Sequence, residues 1–277
     1  MSNFMKPVLT SIIFFLLILT SCTRDEYNLK MVAVKDGNTI WIMNVDGSDR
    51  KALTSTAEDG DCKDPSWSAD CESIVYTSNF LGYNRLCIMN SDGSGKRILF
   101  TTVEALYDPS ISPDNSRIIF GCTDLNLYEY RFSTGSVTVI NTFSIPLVSL
   151  SISSEGRICF IDMNGAYVYT PGTGWASIGG NGSFGAIYSP DGRIIAYVNA
   201  GLLFIEASDT ISLNSSGIIL TNTVNVLNSQ IAWDPAGEYI YYETALGISR
   251  ISADNTFPEV VVNDSTFKYP QIQGKSK

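Results

Sequence analysis

Histidine is absent from this 277-residue chain. That removes the commonest general base, the commonest zinc ligand and every Ser-His or Cys-His nucleophile pair. Only carboxylate or lysine chemistry stays open to an enzyme. Basic residues are scarce as well. The chain has 18 Lys and Arg against 28 Asp and Glu, a formal charge of −10, and no run of cations. Phosphate backbones need clustered positive charge, so the composition argues against nucleic acid as a partner. A negative surface suits solubility after export. Long apolar runs are missing too. The longest candidate, Ile12 to Leu19, is too short to span a bilayer comfortably.

What the chain does have is a repeat. Asp64-Pro65-Ser66-Trp67-Ser68-Ala69-Asp70 precedes the apolar run Ser73-Ile74-Val75-Tyr76. Asp108-Pro109-Ser110-Ile111-Ser112-Pro113-Asp114 precedes Arg117-Ile118-Ile119-Phe120 in the same way. A degraded copy follows around Ile152, further copies around Tyr188 and Trp233, and a half-copy around Ile272. The spacing of these central apolar residues is 36 to 45 residues. A period of about 40 residues with several short strands in each is the signature of a β-propeller. The 14 Tyr and 13 Phe, with 22 Gly and 10 Pro, fit strands joined by tight turns.

The expected fold class is all-β, a six-bladed β-propeller. Innermost strands are predicted at 64–68, 108–112, 148–153, 186–189, 230–233 and 268–272. The first segment of the chain, from Met31, supplies three strands but lacks an inner one. The half-copy at the C-terminus supplies one strand and stops. The last blade is therefore expected to be shared between N- and C-terminal strands, which closes the ring and removes an open sheet edge. This divides the chain into a leader (1–21), a tether (22–30), the propeller (31–273) and a polar tail (274–277).

The leader has a polar start with Lys6, the apolar core, and the ending Leu19-Thr20-Ser21-Cys22. These are the proportions of a signal peptide. The ending resembles a bacterial lipoprotein box. The resemblance implies cleavage before Cys22 and lipidation of its thiol, and several acyl chains together anchor a protein stably. Thr23 rather than Asp after the cysteine resembles the pattern of an outer-membrane destination. Cell-envelope localisation and a membrane contact through Cys22 are the expectations.

Trp41-Ile42-Met43-Asn44-Val45-Asp46-Gly47-Ser48 and Cys87-Ile88-Met89-Asn90-Ser91-Asp92-Gly93-Ser94 are near copies of each other. Each is coupled to a Trp/Ile-Ser-x-Asp turn, and together they resemble the repeat of TolB-type propellers. The resemblance covers Met31 to Gln273. Two departures limit what it implies. TolB carries an α/β domain ahead of its propeller, for which this chain has no room, and TolB is soluble in the periplasm. The peptidases that share the repeat keep their catalytic residues on a separate domain, absent here. The oligogalacturonate lyase propeller uses histidines and a metal, which a chain without histidine cannot match.

Several clusters carry groups capable of chemistry. Asp46, Asp92, Asp114 and Asp191 sit in Asp-Gly and Pro-Asp turns with one carboxylate each, which suits turn-making rather than calcium. Glu58-Asp59-Gly60-Asp61 is the densest acidic patch and reads as a solvated loop. Cys62, Cys71, Cys87, Cys122 and Cys159 have no zinc spacing, and most fall where strands need small buried residues. The inner-strand entry column is the binding candidate. It runs Asp64, Asp108, Ser149, Gly185, Gln230 and Tyr269, preceded by Lys63, Tyr107, Val148, Phe184, Ser229 and Lys268. Lys63, Asp64, Tyr107, Asp108, Phe184, Gln230 and Tyr269 are expected to ring one mouth of the channel, with Tyr83 on a nearby loop.

Two functions follow. The first is a lipid-anchored, non-catalytic propeller that binds a protein, peptide or glycan of the envelope, with no cofactor and no metal. The second is a carboxylate- or Lys-based hydrolase or lyase at the channel mouth, using Lys63, Asp64 and Asp108. Convergent carboxylates in a deep pocket would favour the second.

Overall fold

Alternating apolar runs and Gly, Asn or Asp turns give β-hairpins throughout the computed structural model, which describes residues 29–144, 147–180, 183–207, 218–221, 231–253 and 258–273. The leader, Cys22 and Gln230 lie outside the described residues. In chain order come β1 (Lys30–Lys35), β2 (Thr39–Asn44), β3 (Lys51–Ala52) and a single helical turn, α1 (Thr56–Asp59). Next are β4 (Asp61–Trp67), β5 (Ser73–Phe80), β6 (Tyr83–Asn90) and β7 (Arg97–Thr102), then β8 (Leu106–Ile111), β9 (Arg117–Cys122), β10 (Asn126–Arg131) and β11 (Ser136–Thr142). They are followed by β12 (Val148–Ile152), β13 (Ile158–Asp162), β14 (Gly165–Thr170) and β15 (Gly174–Gly179). The remaining strands are β16 (Ser183–Tyr188), β17 (Ile194–Asn199), β18 (Leu202–Ala207), β19 (Ile218–Thr221), β20 (Ala232–Trp233), β21 (Tyr239–Thr244), β22 (Gly247–Ser252), β23 (Glu259–Val262) and β24 (Phe267–Gln273).

These strands form six four-stranded antiparallel sheets. Five use four consecutive strands. The other has the order β24-β1-β2-β3, so the last strand of the chain pairs with the first. Met31 lies opposite Ile272 and Val32 opposite Gln271. We number this shared sheet blade 1 and the others 2 to 6 in chain order.

The core is divided into six layers, each between two adjacent blades. Val32, Ile40 and Leu53 of blade 1 meet Cys62, Ile74 and Tyr76 of blade 2. Ala196 and Val198 of blade 5 meet Trp233, Ile240 and Tyr242 of blade 6. Met31 and Phe267 of blade 1 meet Tyr241 and Ile248 of blade 6. Each sheet is thus covered on both faces. That explains why the second strand of a blade reads as an unbroken apolar run, as in Ile118-Ile119-Phe120 and Ile240-Tyr241-Tyr242, whose residues are all fully buried.

The acidic patch is not the loop its composition predicts. Thr56–Asp59 makes one helical turn, and Asp61 already belongs to β4. Asp59 Oδ2 accepts the Ser55 N–H at 2.9 Å and the Lys96 ammonium at 2.7 Å, so this carboxylate caps the turn and ties it to blade 2. Among the described residues no helix is long and apolar enough to cross a membrane.

Candidate functional site

Every innermost strand runs the same way, so the channel has an entry mouth, where these strands begin, and an exit mouth, where they end. The entry column of the sequence occupies one structural position. Asp64, Asp108, Ser149, Gly185 and Tyr269 all have positive φ, between 48° and 57°. The strand register slips at each of them, so each is a β-bulge. A left-handed residue is uncommon outside glycine and costs about 1–2 kcal/mol for most side chains, so its recurrence in successive blades needs a compensating gain.

The gain is a hydrogen-bond relay between blades. The Asp108 N–H lies 3.5 Å from Asp64 Oδ2 and the Ser149 N–H 2.5 Å from Asp108 Oδ2. The Ala186 N–H donates to Ser149 Oγ at 2.8 Å. In blades 3, 4 and 5 an N–H at the bulge, or one residue after it, is thus accepted by the bulge side chain of the preceding blade. Asp64 also accepts from the Thr77 hydroxyl at 3.3 Å. Burial raises the Asp64 carboxyl, to about 7, with the Asp108 charge adding to the shift. The side chain is deep in the molecule, yet the channel leaves part of it accessible.

The remaining entry residues disperse. Lys63 and Tyr269 line a cavity of about 430 Å³ at the seam of blades 1 and 2, with Asp36, Gly37, Thr266 and Lys268. Lys268 pairs with the buried Glu243 at 3.2 Å. Burial raises the Glu243 carboxyl. Tyr107 is not at the mouth. Its ring lies against Gly121 of β9, where an added Cβ would come within 2.4 Å of it, and its hydroxyl is buried without a partner among the described residues. Phe184 stands at the start of β16, 38% exposed. Tyr83 sits on the third strand of blade 2, two strands out from the channel, so it does not belong to the ring.

The larger opening is at the exit mouth, which the sequence reading did not select. It is a bowl of about 570 Å³ lined by the residues that define the repeat: Trp67, Ile111, Ile152, Tyr188, Trp233 and Ile272. Ser66, Ser110, Ser151 and Gln271 add polar groups to its wall, and Asp70 is the only charged side chain among the described residues lining it. The signal is present in the sequence as the spacing itself, which marks the blades without marking the wall of an opening.

The turns that frame this bowl are rigid for a clear reason. Ser68, Ser112 and Ser189 donate their hydroxyls to Asp70, Asp114 and Asp191 at 2.5, 2.5 and 2.6 Å. Each aspartate also accepts the main-chain N–H two residues later, at 3.0 Å. Ser112 is the main reason that the Asp114 carboxyl falls to about 2. Between bowl and entry mouth the channel narrows to a space of about 50 Å³ beside Asp108, Ser149 and Gln271. That admits waters but no sugar ring or side chain. Among the described residues no group of three or more Cys, Asp or Glu lies close enough together to hold a metal ion.

No family model and no curated protein matches the chain. Solved structures do. TolB from Acinetobacter baumannii superposes with a TM-score of 0.68 at 21% identity, over 88% of this chain and 66% of that one. A chain of a nidogen/laminin complex gives a TM-score of 0.70 at 8% identity, over 88% of this chain and 98% of that one. Hydrazine synthase from Kuenenia stuttgartiensis gives 0.68 at 14% identity, over 89% of this chain and 46% of that one. This chain therefore spans just under two thirds of the TolB chain and under half of the hydrazine synthase chain. At these identities the likeness is one of architecture: the chain is a six-bladed β-propeller with the fold seen in TolB.

Proposed function

We propose that this protein is a lipid-anchored propeller of the bacterial cell envelope that binds a protein, peptide or glycan partner without chemistry of its own. The observation that carries the reading is the exit bowl. A nearly uncharged, hydroxyl-rich and aromatic cavity of about 570 Å³ stands open in a chain of net charge −10. Such a surface favours recognition through shape and hydrogen bonds. Two of the similar structures, nidogen/laminin and a mitotic checkpoint complex, are protein complexes, which is in keeping with this use of the fold. The anchor is Cys22, and its motif points to the outer membrane. The β1 strand starts at the exit mouth, where Lys30 pairs with Gln273. Residues 22–29 reach at most about 28 Å, so the anchor would hold the bowl towards the lipid surface.

A second reading keeps one observation of its own. Asp64 and Asp108 converge inside the channel and Asp64 holds its proton unusually well, which a hydrolase or lyase would need. Against it, both carboxylates accept main-chain N–H groups from the next blade, and the space beside Asp108 is too small for a substrate.

A photo-reactive residue at Ser154, on the bowl rim, tests the binding reading in intact cells. A discrete adduct from position 154 that is absent from position 175, on an outer strand, is expected. Cys22→Ala is expected to move the protein from the membrane to the soluble fraction. Equal labelling from both positions would remove the bowl as the binding face, and an unchanged membrane fraction would remove the anchor.

A further inference from the structure

Blade 2 differs from the other five at its entry end. Its second and third strands, β5 and β6, have eight residues each, where the corresponding strands elsewhere have five or six. The additional pairs, Asn79 with Asn84 and Phe80 with Tyr83, extend the hairpin by about 7 Å. The chain reverses over Leu81 and Gly82, both with positive φ, at 54° and 80°. A two-residue turn of this kind favours Asn, Asp or Gly at its first position. Here a leucine holds it and is 79% exposed. Leu81 therefore stands largely in solvent and suits its turn poorly. Strain without a structural return is a mark of function.

The surroundings of this tip are ordered and apolar. Asn79 donates to Asn84 at 2.9 Å, and Asn84 donates to the Val103 carbonyl at 3.1 Å. These bonds hold Val103, 70% exposed, beside Tyr83, 51% exposed. Beneath them the Arg85 guanidinium lies 5.1 Å from the Phe80 ring. The rim is acidic. Asp61 neighbours the hairpin on β4, opposite Asn79. Glu104 follows Val103 and accepts the Thr123 hydroxyl at 2.9 Å, with Asp124 next in the chain. All three carboxylates are exposed.

We propose that the β5–β6 tip, with Leu81, Tyr83 and Val103, is a docking surface for a protein partner that presents an apolar pocket rimmed by lysine or arginine. An exposed aliphatic and an exposed aromatic residue on a rigid hairpin are suitable anchors for such a pocket. The three rim carboxylates select a cationic surround and speed the encounter. This surface lies at the opposite end of the channel from the bowl, and the inference does not depend on what the bowl binds.

The test uses the full-length chain with benzoylphenylalanine at position 83, in its own cells. The adduct is identified by mass spectrometry and the captured protein is purified and titrated. Leu81→Asn is the informative variant, because Asn tolerates the left-handed turn. It is expected to keep or raise the melting temperature while weakening binding tenfold or more. Asp61→Lys with Glu104→Lys is expected to weaken binding several-fold, and added salt to do the same. The proposal is overturned by the absence of an adduct, by an adduct with lipid or with a second copy of this chain, or by a partner whose affinity is unchanged in Leu81→Asn or in the charge-reversed variant.

Discussion

Ser149 donates its main-chain N–H to the Asp108 carboxylate at 2.5 Å, across the boundary between blades 3 and 4. The same step links Asp108 to Asp64 one blade earlier. A carboxylate used in this way is held close to another carboxylate, and the pair resists carrying two charges.

The melting temperature should therefore fall as pH rises from 5 to 8. The Asp64 carboxyl, raised to about 7, binds a proton more tightly in the folded chain than in the unfolded one. A raised acid contributes stability that is complete below its unfolded value near 4 and is lost as pH passes its folded value. Across this window the loss is about 2 kcal/mol, or roughly 5 °C for a domain of this size. Asp64→Asn keeps an acceptor and suits the left-handed backbone, so it should flatten the pH dependence. Parallel melting curves at pH 5 and 8 give the comparison; equal slopes in both proteins would contradict the coupling.

The two chain ends should be needed together for a cooperative fold. Trp67 of blade 2 donates its indole N–H to the Gln271 carbonyl of β24 at 3.3 Å. Ile272 lies buried on the other side of the shared sheet, among Met31, Tyr241 and Phe267. Removing residues 268–277 should abolish the single cooperative transition. Ile272→Ala should cost about 2–4 kcal/mol, and Trp67→Phe, which removes the N–H together with part of the ring, at least about 1 kcal/mol. Urea unfolding of the three variants would rank them; a truncated chain that melts as the full one does would refute the closure.

The Ser-x-Asp turns should behave as small acid-sensitive locks. Ser112→Ala removes the leading cause of the low Asp114 value, about 2, and leaves an acceptor without its shortest partner. The variant should lose about 1 kcal/mol at pH 7. A lowered acid contributes stability above its unfolded value and loses it as pH falls through the folded one. The gap between the two proteins should accordingly narrow from pH 4 down to pH 2, as read by urea midpoints.

The period of Trp67, Ile111, Ile152, Tyr188, Trp233 and Ile272 made the blades legible, because a residue buried between two sheets must recur once per sheet. The orphan strand around Ile272 was legible for a related reason: a ring needs its last sheet completed. What the pattern hid was direction. A strand sequence does not say which end of the channel is wide, and the repeat residues that pack between blades also form the wall of the exit bowl. Nor does it mark a bulge. Asp64 and Asp108 look like a free carboxylate ring until the left-handed backbone turns the next blade's N–H groups towards them. Tyr83 is close to β4 in sequence, yet it belongs to β6, and β5 separates the two strands in the sheet.

Cys71 should be the fast-reacting thiol of the folded propeller and a handle on the bowl. It lies on the bowl wall, partly exposed, just past the Asp70 turn. Burial pushes Cys62 and Cys122 up to about 11 and Cys87 and Cys159 up to about 12, and all four are buried. Thiolate is the reactive form, so those four should alkylate on the order of a hundredfold more slowly, and only through opening of the fold. In a Cys22→Ala chain, a bulky maleimide should therefore add once, at Cys71, under native conditions. Mass spectrometry of peptides locates the adduct. Because the adduct projects from the rim into a space of about 570 Å³, it should also suppress crosslinking from position 154. A labelled protein that still crosslinks fully from Ser154 would mean that the partner does not enter the bowl.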